Sequence, residues 1–317
     1  MMVTILLLAV LLVTYSNGGN DNFKGVATLW GSGTLSYKQS LTLATIATFA
    51  GSVCSFFFAA SLVKNFSGKG LVSDEITGSV NFAFAVALAA GLTVLLATKT
   101  GFPISTTHSL VGALIGAGIV ASGNQVNFEK LGKVFFLPLI LSPVLAIGIS
   151  MLLWVFLSRR LVNASRYLTI SHCVTAGIVS FARGLNDTPK LVSLLLVCNL
   201  FSLPVNFLLL SVTMAIGGLI NAKKVANTMS NKITKLSHAQ GFSANLVTGI
   251  LVIVASFFGL PVSTTHVSVG SIYGIGLISG EANSKEIGKI GLSWLLTLPI
   301  AAIIAAIVFL LVHYFGG

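Results

Sequence analysis

The sequence predicts an all-α, polytopic integral membrane protein, and three observations support this fold class. Hydrophobic residues make up 55% of the 317 residues, charged residues only 8%, and the mean hydropathy is +0.98. A soluble domain carries about 25% charged residues, so this chain has too little charge for a water-exposed surface. Long apolar segments recur from end to end, and two motifs occur twice. The same composition excludes disordered, collagenous and disulfide-framed secreted proteins.

The apolar segments differ in length. They lie at residues 2–15, 41–63, 76–98, 109–121, 134–157, 167–182, 191–201, 203–220, 242–258, 267–279 and 290–314. A helix that crosses a bilayer needs about 20 apolar residues, and several of these segments are shorter. Polar or Gly- and Pro-containing breaks flank the short ones, and such backbone is tolerated at membrane depth only inside protein or along a cavity. We therefore predict about 10–12 membrane segments, including broken helices or re-entrant hairpins at the bilayer midplane.

An internal duplication sets the domain organisation. Residues 18–24 (GGNDNFK) match residues 184–190 (GLNDTPK), and residues 101–108 (GFPISTTH) match residues 259–266 (GLPVSTTH). Since two different motifs follow in the same order in each half, we predict a first repeat at 1–157, a basic linker at 158–165 and a second repeat at 166–317. Duplicated halves with interrupted helices are typical of secondary transporters, and inversion of the second repeat is the preferred interpretation.

The few acidic residues are unevenly placed. Asp21 and Asp187 lie in the repeated motif beside apolar helices, whereas the other five acids fall in polar connections. An ionisable group near membrane depth usually marks a substrate or ion pathway. The formal net charge is +11, but the cations lie in short loops, as the positive-inside tendency expects. We therefore expect a lipid bilayer and no nucleic acid as a partner.

The repeated Pro-x-Ser-Thr-Thr motif predicts a helix start in each half, at 106–121 and at 264–279. Proline disfavours the helical conformation of the residue before it, and Ser and Thr are common helix caps. The start of a helix presents free N–H groups and the positive end of its dipole, which favour anions. Two such starts that converge, with their hydroxyls, would hold a small tetrahedral oxyanion without any buried Lys or Arg. The alternative is ordinary capping in two unrelated helices. For His108 and His266 we favour a packing role over contact with the anion.

The Asn-Asp pairs predict a cation site. Each pair is expected where a helix ends after glycine and a second short helix begins, so that carbonyl, carboxylate and amide oxygens surround a hard cation. Sodium fits this description, a carboxylate can also carry a proton, and a helix-capping Asp is the simpler alternative. For Lys24 and Lys190 we rank snorkelling or ion pairing before contact with the anion. Arg183 has no basic counterpart in the first half and is interpreted as a loop cation.

These motifs resemble those of the PiT family of inorganic phosphate transporters. The resemblance covers essentially the whole chain and implies an inverted-repeat symporter that binds phosphate and a cation between its halves and works as a homodimer. It implies phosphate ligands at Asn20, Ser105, Thr106, Thr107, Asn186, Ser263, Thr264 and Thr265. It implies sodium ligands at Asp21, Asp187, Asn20 and Asn186. A cation that moves downhill would supply the work of moving an anion against the membrane potential, about 2.3 kcal/mol per charge per 100 mV.

The sequence departs from the family pattern directly after the Asn-Asp pairs. The usual continuation, Val-Ala-Asn-Ala, is replaced by Asn-Phe-Lys-Gly at 22–25 and by Thr-Pro-Lys-Leu at 188–191. We expect phosphate transport in the cell (plasma or inner) membrane, coupled to sodium in preference to a proton. The alternative is a permease for sulfate or another tetrahedral oxyanion. A membrane-embedded enzyme is not expected, because the acids that would hold magnesium at a pyrophosphate are missing. No cofactor is expected besides the transported ion.

Overall fold

The computed structural model describes residues 1–58, 60–161 and 166–315, and the regular elements within these ranges are helices. In chain order they are α1 (Met2–Asp21), α2 (Ala27–Gly31), α3 (Tyr37–Cys54), α4 (Ala60–Phe66), α5 (Asp74–Thr77), α6 (Val80–Thr100), α7 (Thr106–Ser122), α8 (Phe128–Lys130), α9 (Leu137–Leu161), α10 (Arg166–Val192), α11 (Leu203–Asn221), α12 (Lys223–Asn231), α13 (His238–Phe257), α14 (Thr264–Ser279) and α15 (Ser284–Phe315). A π-helical turn, Leu131–Phe136, joins α8 to α9 without a break.

Eight helical segments of the described chain are long and apolar enough to cross a membrane. They are Met2–Asp21, Tyr37–Phe57, Val80–Thr100, Phe128–Arg160, Tyr167–Cys198, Leu203–Asn221, His238–Phe257 and Ser284–Tyr314. The shorter helices α7 and α14 have 17 and 16 residues. The predicted all-α, multi-pass membrane fold is confirmed. Of the predicted basic linker, residues 162–165 lie outside the described residues.

The helices of the two halves pack against each other in matching pairs. Helix α1 packs on α6 and α10 on α13, and across the halves α1 packs on α11 and α10 on α3. The last long helix of each half covers the short helix of the other half, α9 on α14 and α15 on α7. The site between the halves is therefore enclosed by helices from both.

Two glycines of the repeated motif permit this close packing. A Cβ atom on Gly18 would lie 2.1 Å from the carbonyl oxygen of Met214 in α11. A Cβ atom on Gly184 would lie 2.3 Å from the carbonyl oxygen of Thr48 in α3. Membrane helices commonly approach each other through such small residues. The glycines in these motifs therefore set the helix spacing and do not end the helix.

The prediction of a helix break at each Asn-Asp pair is confirmed in the first half and wrong in the second. Helix α1 ends at Asp21, and the short α2 begins at Ala27. Helix α10 runs unbroken through Asn186, Asp187 and the proline that follows, as far as Val192. Contacts four residues apart, such as that of Asn186 with Lys190, lie along one face of the continuous α10.

Candidate functional site

Two short loops at the starts of α7 and α14 form the first part of the site. Gly101 and Gly259, the first residues of the two loops, adopt left-handed backbone conformations, with φ of 82° and 65°. Ser105 caps α7 by accepting a bond from a backbone N–H one turn later (3.1 Å), and Ser263 caps α14 in the same way (3.2 Å). Both predicted helix starts are confirmed.

The two loops face each other. Thr107 donates its hydroxyl hydrogen to the carbonyl oxygen of Val262 (3.3 Å), and Thr265 donates to that of Ile104 (2.8 Å). Each threonine thus bonds to the loop of the other half. The expected convergence of the two helix starts is present, and all six Ser and Thr side chains of the two motifs are buried. In this state the hydrogens of Thr107 and Thr265 are directed at backbone carbonyls.

The two motif aspartates meet at the same place, although they are distant in sequence. Asp21 and Asp187 are 2% and 3% exposed. The side-chain amide of Asn17 donates to Oδ2 of both, at 3.4 and 3.3 Å, and also to the hydroxyl of Thr106 (3.0 Å). One amide group therefore connects both carboxylates to the start of α7.

Lys24 and Lys190 point into the protein and pair with these carboxylates. Lys24 Nζ lies 2.6 Å from Asp21 Oδ1, and Lys190 Nζ lies 3.1 Å from Asp187 Oδ1. Both lysines are 1% exposed. The ion-pairing interpretation is confirmed, and the snorkelling alternative is wrong because a buried carboxylate holds each ammonium group inside.

Arg183 is buried in α10, so its interpretation as a loop cation is wrong. It is 1% exposed, and its Nε lies 3.6 Å from Asp187 Oδ2. Its guanidinium donates to Asn17 Oδ1 (2.6 Å) and to the carbonyl oxygen of Asn17 (3.2 Å). Sequence reasoning missed the roles of Asn17 and Arg183, which hold matching positions in the two halves. Each lies four residues before its aspartate and thus on the same helix face, which was the available signal.

Asn20 and Asn186 form hydrogen bonds in the site with both the NH2 group and the oxygen atom of their side-chain amides. Asn20 donates to Thr98 (3.0 Å) and to the carbonyl oxygen of Phe102 (3.0 Å), and its Oδ1 accepts from the backbone N–H of Ile104 (3.1 Å). Asn186 donates to Ser256 (2.9 Å). The Oδ1 atoms of both residues accept from the lysine of their own motif. The asparagines therefore connect the aspartate motifs to the neighbouring helices.

The two motif histidines pack against each other at the back of the loops. Their ring centroids are 4.5 Å apart, and His266 stacks on Trp294 at 3.9 Å. Nδ1 of His266 lies 3.2 Å from the carbonyl oxygen of Leu139, and the indole of Trp294 donates to that of Pro103 (2.9 Å). Both histidines therefore have packing contacts, and the preference for packing over contact with the anion stays a prediction.

The charges of the site do not cancel. Lys24, Arg183 and Lys190 supply three cations against the two carboxylates of Asp21 and Asp187, and all five groups are buried. The prediction of an anion site without buried Lys or Arg is therefore wrong. The sequence motif showed the hydroxyls but did not show that the basic residues turn inward. A buried cluster with a formal surplus of one positive charge, beside two helix starts, favours the binding of a small anion.

Comparisons with known proteins agree with this chemistry. The model of the phosphate transporter family matches residues 17–169 and 161–305. A probable low-affinity inorganic phosphate transporter of Bacillus subtilis is 29% identical, over 98% of this chain and 96% of that protein. A candidate phosphate permease of Thermococcus kodakarensis is 27% identical over 96% of both chains. A solved structure of a sodium-dependent phosphate transporter has the same fold, with a TM-score of 0.87 and 24% identity over 99% of both chains.

Proposed function

Because the chain belongs to the phosphate transporter family, we propose that it carries inorganic phosphate across the membrane and couples this transport to a cation. The observation that carries the proposal is the buried site between the halves, with two facing helix starts and one surplus positive charge. Phosphate is a small tetrahedral oxyanion that such N–H and hydroxyl groups, beside the buried cations, can bind without a metal.

The proposed phosphate ligands come from both halves. Ser105, Thr106 and Thr107 would contribute from the first half together with Asn20, and Ser263, Thr264, Thr265 and Asn186 from the second. Thr107 and Thr265 would have to release the opposite loop in order to donate to phosphate, because their hydrogens are now bonded across the halves. We propose that this release accompanies opening of the site.

The proposed second repeat is inverted with respect to the first. Five helices of the first half (α1, α3, α6, α7 and α9) have counterparts in the second (α10, α11, α13, α14 and α15), and the paired packing contacts support this correspondence. Inverted topology requires an odd number of membrane crossings in each half, which these five helices provide when the short α7 and α14 count as crossings. We further propose that the protein acts as a homodimer in the cell membrane.

Two cations remain candidates for coupling. We rank sodium before the proton as the coupling cation because oxygen ligands are available from Asp21, Asp187, Asn20 and Asn186. The solved protein of the same fold is sodium-dependent. In this chain, however, two lysine ammonium groups lie among these oxygens.

Uptake by purified protein in liposomes tests the proposal. Labelled phosphate should accumulate when a sodium or proton gradient is imposed, and Asp21→Asn or Asp187→Asn should abolish this accumulation. Uptake that does not respond to either gradient would refute the coupling. Sulfate that competes as strongly as unlabelled phosphate would instead favour the broader oxyanion permease.

A further inference from the structure

Each buried lysine ends among four oxygen atoms. Nζ of Lys24 lies 2.9 Å from Asn20 Oδ1, 2.6 Å from Asp21 Oδ1, 2.7 Å from the carbonyl oxygen of Ile104 and 2.5 Å from Thr265 Oγ1. These atoms are one amide oxygen, one carboxylate oxygen, one backbone carbonyl and one hydroxyl.

The surroundings of Lys190 have the same composition. Its Nζ contacts Asn186 Oδ1 and lies 3.1 Å from Asp187 Oδ1, 3.1 Å from the carbonyl oxygen of Val262 and 2.8 Å from Thr107 Oγ1. The four contributing positions correspond one to one between the halves. In both cages the threonine comes from the opposite half and donates its own hydrogen to the same backbone carbonyl. Its lone pairs are thus left free for a cation.

These cages have more oxygens than an ammonium group can use. An ammonium group has three N–H donors, whereas four oxygens surround each Nζ. A set of carboxylate, amide, carbonyl and hydroxyl oxygens is the donor set of a hard metal cation. Each cage therefore has the chemistry of a sodium site, and a lysine tip occupies it.

A sodium ion could not join the ammonium group in either cage. The oxygens lie within hydrogen-bond distance of Nζ, so the space between them is filled. The cluster already carries one surplus positive charge, and a further cation would add to the repulsion at a buried site. The ammonium groups also cannot move far, because Lys24 is three residues from Asp21 and both lysines are buried.

We propose that Lys24 and Lys190 serve as tethered cations that permanently replace sodium at both cation positions, so that phosphate binding and uptake do not require sodium. This inference rests on the proposed phosphate transport, and of the two candidate coupling cations it excludes sodium. Of the two coupling cations proposed above, the proton then remains. The two lysines are then the residues that determine the ion dependence of this chain.

The test compares the full-length protein with Lys24→Asn, Lys190→Asn and the double variant in proteoliposomes. Asparagine supplies a neutral oxygen at the position where the related motif carries Asn. Initial rates of phosphate uptake are measured at one pH with sodium or with choline as the only external monovalent cation. Lys99→Asn is the matched control, because Lys99 is an exposed lysine near the loop at the start of α7.

The wild type and Lys99→Asn should take up phosphate at rates that differ by less than about twofold between sodium and choline. The double variant should need sodium, with a rate at least about tenfold higher than in choline. Sodium without phosphate should also raise the melting temperature of the variants and leave that of the wild type unchanged, because a ligand stabilises only the state that binds it.

Three results would overturn the inference. One is a strong sodium requirement in the wild type, and another is a rise in the wild-type melting temperature with sodium. The third is a folded double variant that sodium neither stabilises nor activates, which would assign the lysines to direct contact with phosphate. Absence of phosphate uptake by the wild type under every gradient would refute the proposed function instead, and the melting measurement would still test the sodium site.

Discussion

Replacement of Asp187 by asparagine should destabilise the folded protein far more than replacement of an exposed carboxylate. The Asp187 carboxylate lies 3.1 Å from Lys190 Nζ and 3.6 Å from Arg183 Nε. At an effective dielectric constant of about 20, each pair contributes about 5 kcal/mol of Coulomb energy in the folded state, and desolvation offsets much of it. Removal of one partner from a buried pair costs about 3–5 kcal/mol.

The expected value lies near the lower end of this range, about 3 kcal/mol. Lys190 keeps its contacts to Thr107, Asn186 and Val262 after the substitution, and Arg183 keeps its hydrogen bonds to the residue Asn17. The assay is equilibrium unfolding in detergent micelles, followed by tryptophan fluorescence. A cycle with Lys190→Met and the double variant should give a coupling energy of about 1–3 kcal/mol.

Glu129→Gln is the control. Glu129 and Lys133 form a shorter ion pair, 2.6 Å, but their side chains are 77% and 75% exposed. An exposed pair contributes less than about 1 kcal/mol, so this variant should unfold almost like the wild type. Equal destabilisation by Asp187→Asn and Glu129→Gln, or a coupling energy near zero, would refute the argument that burial determines the effect.

Two further substitutions test the packing and the helix starts. Gly18→Ala should lower both stability and uptake, because its Cβ would lie 2.1 Å from the carbonyl oxygen of Met214 and would push α1 away from α11; a melting temperature unchanged from the wild type would contradict the close approach. Ser105→Ala should cost about 1 kcal/mol through loss of the helix cap and should weaken phosphate binding, measured by calorimetry in detergent. Ser105→Thr should retain most of both properties, and equal behaviour of the two variants would refute the capping role.

The sequence predicted the main parts of the site because both motifs carry local physical signals. A Pro-x-Ser-Thr-Thr segment determines a helix start through backbone sterics and capping, and this signal does not depend on the rest of the fold. The aspartates stood out because ionisable groups are rare in apolar segments. These local signals located the loops at 101–105 and 259–263 correctly.

The directions of the basic side chains depend on tertiary contacts and were not predictable in the same way. Lys24 and Lys190 could equally have reached the membrane interface, and only the carboxylates and carbonyls around their tips hold them inside. Arg183 was misinterpreted because one of its partners, Asn17, is contributed by the other half, although Asp187 lies one helical turn away in its own helix. The helix at 186–190 continues past a proline because contacts between neighbouring turns and surrounding helices outweigh one missing N–H.

The packing of the last long helix of each half on the short helix of the other half has a consequence for biosynthesis. Helix α7 of the first half is covered by α15, a helix of the second half, and α15 also supplies the indole that donates to the carbonyl oxygen of Pro103. Within its own half α7 packs on α6, whereas α15, which also covers it, is supplied by the other half. The first half therefore cannot complete its packing until α15 has been synthesised and inserted.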